Sequence, residues 1–71
     1  MNPKDKKSFE QIKKIARNLE QGEIYTSETL EGIIKGRGIN VQNMGSVLQA
    51  LTKQTPYLQQ LTDGNYMRKR D

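Results

Sequence analysis

The sequence contains neither cysteine nor histidine. The first absence excludes a disulfide framework and thiolate metal sites, and the two together remove the usual zinc ligand sets. A chain without cysteine fits a reducing, intracellular setting. No apolar run approaches the roughly 20 residues that a membrane span requires, and Met1-Asn2-Pro3-Lys4-Asp5-Lys6-Lys7 lacks the apolar region of a signal peptide. The expected location is the cytoplasm. Also missing are a glycine-rich phosphate loop and a carboxylate pair at a recognisable spacing, so nothing supplies a nucleophile and a base together. The expectation is a protein without enzymatic activity and without a cofactor.

What remains is a short basic chain. At 71 residues there is room for one domain, and a chain of this size buries only about 60% of the surface it exposes when unfolded. The net charge of +4 and the pI near 9.6 favour polyanionic partners. The charge sits at the two ends: residues 1–17 carry six basic and two acidic groups, residues 18–67 three and five, and residues 68–71 three and one. The expected division is a basic flexible lead over residues 1–7, a folded domain over 8–68 and a basic tail over 69–71.

Ser8 followed by Gln11 has the form of a capping box, and Phe9, Ile12, Ile15, Ala16 and Leu19 repeat at helical spacing until Gly22 offers a left-handed stop. Lys13, Lys14 and Arg17 cannot share that buried stripe and point outward with Lys6 and Lys7. Glu23-Ile24-Tyr25 is an extended segment with Ile24 expected inside. Thr26 or Ser27 caps a second helix, whose apolar face is Leu30, Ile33 and Ile34 and whose early Glu28 and Glu31 suit the positive end of the helix dipole. Gly36-Arg37-Gly38 breaks the pattern, and Ile39 plugs the turn.

Val41, Met44, Val47, Leu48 and Leu51 then recur at helical spacing, while Asn43, Ser46, Gln49 and Lys53 line the other face. That outer face carries amides and a hydroxyl, groups that read hydrogen-bonding edges. Asn40 or Asn43 caps this third helix. Gly45 within it permits close backbone approach, either to a ligand or to the second helix. Thr55-Pro56 ends it. Asp63-Gly64 between Tyr57-Leu58-Gln59-Gln60-Leu61 and Tyr66-Met67-Arg68 signals a hairpin. With a two-residue loop Leu61 pairs with Tyr66; a longer loop or a bulge is the alternative. The fold class is mostly α with a small β-hairpin, in the winged-helix order of helix, short strand, helix, turn, helix and two-stranded wing.

The run Ile24-Tyr25-Thr26-Ser27-Glu28-Thr29-Leu30, then Ile39-Asn40-Val41-Gln42-Asn43-Met44, then Pro56 through Gly64-Asn65-Tyr66, resembles the C-terminal DNA-binding domain of the Rok family. These are nucleoid-associated repressors of Bacillus and its plasmids that silence AT-rich foreign DNA. The resemblance spans roughly Ser8 to Met67. It implies that Asn43 meets base edges in the minor groove and that Met44 is a buried anchor. Gly45 stands where the family has a hydroxyl residue, and the wing, with Gln59, Gln60 and Asp63, is less basic than the family's. The family's N-terminal oligomerisation region and basic linker are missing from this chain, which is either an excised domain or a stand-alone relative and is expected to bridge DNA poorly on its own; the expected state is a monomeric domain.

The expected partner is double-stranded DNA, AT-rich by preference, bound in the course of transcriptional repression or nucleoid organisation. Asn43, Ser46 and Gln49 are the candidate base-edge contacts, with Asn40, Gln42, Gly45 and Asn65 beside them. Lys13, Lys14, Arg37, Lys53 and Lys69 are the candidate phosphate contacts. The acidic excess of residues 18–67 supports a different class: a protein-interaction winged helix, such as an antagonist of a host DNA-binding protein, whose partner is another nucleoid or transcription protein. A small excisionase-like architectural factor is a third alternative.

Overall fold

The computed structural model describes residues 1–61 and 64–70. Three helices and three short strands follow one another as α1 (Pro3–Arg17), β1 (Ile24–Thr26), α2 (Ser27–Gly36), α3 (Met44–Gln54), β2 (Leu58–Gln60) and β3 (Asn65–Arg68). The strands form one antiparallel sheet in the order β1-β3-β2. The extended segment before α2 pairs with the hairpin strand β3, Tyr25 opposite Tyr66.

The start of α1 differs from expectation. The helix begins at Pro3, so Lys4 to Lys7 are helical where a flexible lead was expected, and Ser8 lies inside the helix rather than at its cap. Asn2 is the cap: its Oδ1 accepts from the Asp5 N–H at 2.9 Å, and its Nδ2 donates to the Asp5 carboxylate at 3.2 Å. Asn at the cap, Pro at the first helical position and Asp two residues on are together a stronger start signal than Ser8 and Gln11. At the other end α1 stops at Arg17, and Gly22, with φ of +84°, serves the turn into β1 rather than the helix end.

The remaining helix ends follow local chemistry. Thr26 caps α2 by accepting from the Thr29 N–H at 3.1 Å. Its carboxyl end closes in a Schellman motif, in which Gly38 N–H donates to Lys35 O and Ile39 N–H to Ile34 O, with Gly38 at φ of +77°. This motif turns Ile39 into the core, where it is 7% exposed. Of the two candidate caps for α3, Asn43 is the one used, so Val41 precedes the helix and only packs against the core half-buried. Thr55 takes the extended conformation that Pro56 demands.

Phe9, Ile12, Ile15 and Ala16 of α1 meet Leu30 and Ile34 of α2, Val47, Leu48 and Leu51 of α3, and Leu58 and Tyr66 of the sheet. Leu58 is fully buried, so its truncation to Ala is expected to cost roughly 2–5 kcal/mol. In β1 the inward residue is the half-buried Tyr25, while Ile24 is 59% exposed, the reverse of its expected burial. A three-residue strand contains too little alternation to fix its phase. The hairpin register is also one residue from the two-residue-loop expectation: Gln60 pairs with Tyr66 and Leu58 with Arg68. Beyond them the Leu61 N–H donates to Asn65 O at 2.7 Å. Asp63, half of the expected turn, lies outside the described residues, as does Thr62. Among the described residues, no helix is long and apolar enough to cross a membrane.

Candidate nucleic-acid interface

The amino end of α3 is built by two side chains from different parts of the chain. Asn43 caps the helix, its Oδ1 accepting from the Ser46 N–H at 3.1 Å. Asp5, in the first turn of α1, then fixes the segment leading into that cap: one carboxylate oxygen accepts from the Gln42 N–H at 2.9 Å and the other from the Asn43 N–H at 3.1 Å. Asp5 is completely buried. The Gln42 N–H, then those of Asn43 and the Asn2 side chain, hold its carboxyl below the ordinary aspartate range against the opposing effect of burial, with a small contribution from the charge of Lys4.

These contacts leave Asn43 exposed with its carbonyl oxygen committed and its Nδ2 donor without a partner among the described residues. Gly45 is exposed beside it, and a side-chain carbon placed there would meet only Asn43 Oδ1, at 3.7 Å. Nothing in α2 comes that close, so contact with the second helix does not explain this glycine. Gln49 and Lys53 follow Gly45 at four-residue intervals along the exposed side of α3, with half-buried Ser46 on its flank.

The other candidates divide among separate places. Asn40 and Gln42 are exposed in the connection before α3, and the Gln42 backbone is taken by Asp5. Lys14 belongs to the outer side of α1 and half-buried Lys13 to its flank; the buried stripe of α1 shares a core with that of α3, so the exposed stripes of the two helices turn away from that core in different directions. Lys13 is also held by Glu10 at 2.9 Å and lies over the Phe9 ring. Lys14 adjoins Arg37 in a cleft completed by Gln11, Ile15, Asn18 and Ile39. Lys53 stands at the carboxyl end of α3, about 15 Å along the helix from Asn43. Lys69 is half-buried, its N–H donating to Tyr57 O, and Asn65 is half-buried opposite Thr26 in the sheet. The expected set is therefore not one surface: Asn43, Gly45, Ser46, Gln49 and Lys53 share α3, whereas Lys13, Lys14 and Arg37 belong to the α1 side.

Two features were not foreseen from the sequence. Asp5 ties α1 to α3, whereas Asn2-Pro3 and the acid two residues later signal only the start of a helix. The second is a cleft of about 310 Å³ lined by Ser27, Glu28, Glu31, Met44, Gly45, Leu48 and Tyr66, which places two carboxylates on the α2 side of Gly45. Among the described residues no cluster of potential ligands could hold a metal ion. In comparisons with protein-family models, with curated proteins and with solved structures, none matches this chain.

Proposed function

We propose that the chain is a winged-helix DNA-binding domain that prefers AT-rich duplex, as its resemblance to the Rok family implies, and that it acts in transcriptional repression or nucleoid organisation. The order of elements and the β1-β3-β2 sheet support the winged-helix assignment, with β2 and β3 as the wing. The observation that carries the functional assignment is the state of Asn43. Its acceptor is spent on the α3 cap and its Nδ2 donor has no partner among the described residues. In the minor groove A·T pairs present only acceptors, whereas G·C adds the guanine amino donor. A fixed amide that offers N–H to the groove favours A·T, and Gly45 lets the backbone approach without a side chain in the way.

Fluorescence-anisotropy titrations against matched AT-rich and GC-rich duplexes at several salt concentrations test this. The expected result is tighter binding to AT-rich DNA and an affinity that falls steeply with salt. Asn43→Asp keeps a good cap but loses the donor, so it should fold as the parent does and lose the AT preference. Absence of binding to either duplex at low salt would overturn the assignment. The acid-edged cleft at Glu28 and Glu31 favours the competing protein-interaction function, which predicts partners that persist in extract after nuclease digestion.

A further inference from the structure

Resting on the DNA-binding function proposed above, we infer that Lys4 and Lys6 in the first turn of α1 clamp the phosphate backbone beside the groove read by Asn43, with Asp5 as the residue that positions them. The sequence alone placed this segment in a flexible lead. In the folded chain Asp5 is fully buried and its carboxylate grips the Gln42 and Asn43 amides, so the turn that carries Lys4 and Lys6 is fixed against the entrance to α3. With about 100° between successive helical residues, Lys4 and Lys6 flank Asp5 on either side, whereas Lys7 falls about 200° away, on the outer side with Lys14. Lys4 and Lys6 are exposed and enter no ion pair among the described residues.

The neighbouring surfaces make the direction of approach one-sided. On the α2 side of Gly45 stand Glu28 and Glu31, which repel phosphate. On the same flank of α1 as Lys6, two turns further along, Lys13 is half-buried and engaged by Glu10. A duplex whose groove receives Asn43 therefore has its backbone attracted over the start of α1 and kept off α2. Both lysines act without regard to base identity; Asn43 supplies the discrimination.

Two double variants that remove the same charge test the assignment: Lys4→Gln with Lys6→Gln, and Lys7→Gln with Lys35→Gln, the latter pair exposed on the outer side of α1 and in the last turn of α2. Circular dichroism confirms folding, and anisotropy gives the dependence of log K on log salt. The first variant is expected to lower that slope by about 1.8, the value for two phosphate contacts, and to weaken AT-rich and GC-rich binding by the same factor. The second should change the slope by much less. Equal slopes for the two variants would overturn the clamp, since only overall charge would then matter. If the parent protein binds no DNA, it is the DNA-binding function itself that fails, and this shows before any lysine is changed. As a second measurement, the absence of cysteine allows a DNA-cleaving probe to be attached at Lys4→Cys or at Glu28→Cys. Backbone cuts from position 4 and few from position 28 support the clamp, and the reverse pattern overturns it.

Discussion

The guanidinium of Arg68 donates through Nε to the carbonyl of Ala16 at 3.0 Å, which ties the last residue of β3 to the last turn of α1. Nη2 donates to Arg17 O at 2.9 Å and Nη1 to Lys69 O, and the group lies 5.2 Å from the centre of the Tyr57 ring. Arg68 is 1% exposed. Helix carbonyls at a carboxyl end have no partner within the helix, and a cation there also suits the dipole. Arg68→Ala removes these donors, leaves Ala16 O with the Leu19 N–H at 3.2 Å and empties a buried site, and the expected loss is about 3 kcal/mol. Arg68→Lys keeps the charge but not the planar fork that reaches several carbonyls at once, so it should be destabilised as well, by less. Urea unfolding of both variants measures this. If the Arg68→Ala protein were as stable as the parent, water would have to satisfy the carbonyls equally well.

Asp5 makes stability depend on acidity in a defined direction. Its folded-state carboxyl lies below the ordinary value of 3.8, chiefly because the Gln42 N–H bonds the charged form. The unfolded chain therefore takes up this proton first as pH falls, and the stabilisation, present in full above the unfolded value, is lost as pH drops through the folded one. Thermal unfolding across the acid range should show this decline below about pH 4. Asp5→Asn should start from a lower unfolding temperature at neutral pH and decline less on acidification. An identical pH profile for parent and variant would mean that the carboxylate bonds do not contribute to folding.

The helices were legible because Phe9, Ile12, Ile15 and Ala16, and again Val47, Leu48 and Leu51, repeat at the spacing of a helix with one buried face. Thr55-Pro56 was legible because proline constrains its neighbour regardless of the fold. Within the site, Asn43, Gln49 and Lys53 on the outer side of α3 follow from the same spacing. The start of α1 was obscured because Lys4, Lys6 and Lys7 have the composition of a solvated tail. The role of Asp5 had no readable counterpart: its partners are backbone amides 37 and 38 residues away, and every residue other than proline has such an amide. Strand phase failed at Ile24 and in the hairpin for a related reason. Each segment is short and has apolar residues on both faces, so only the packed core decides which side faces inward.

Gly32 and Gly38 have equal space around them, with no atom near an added side-chain carbon, but opposite expected responses to alanine. Gly32 lies within α2, where Ala is favoured by up to about 1 kcal/mol. Gly38, at φ of +77°, holds the left-handed position of the Schellman motif that directs Ile39 into the core. Gly32→Ala should raise the unfolding temperature, and Gly38→Ala should lower it by an amount equivalent to about 1 kcal/mol. Calorimetry on the two variants decides it; the same sign for both would mean that the α2 terminus rearranges without cost.

Gly45 separates stability from binding at a single position. It lies in the first turn of α3, its φ is not positive, and an added side-chain carbon would make only an ordinary contact with Asn43 Oδ1. Folding alone therefore gives no reason for glycine there, and Gly45→Ala should stabilise the helix by up to about 1 kcal/mol. If the α3 backbone approaches a groove at this point, the added methyl group stands between the two, and affinity for AT-rich duplex should fall by about tenfold, or 1.4 kcal/mol. A more stable protein that binds DNA less well is a combination that general destabilisation cannot produce. A more stable protein with unchanged affinity would remove Gly45 from the interface and leave Asn43 to be tested without it.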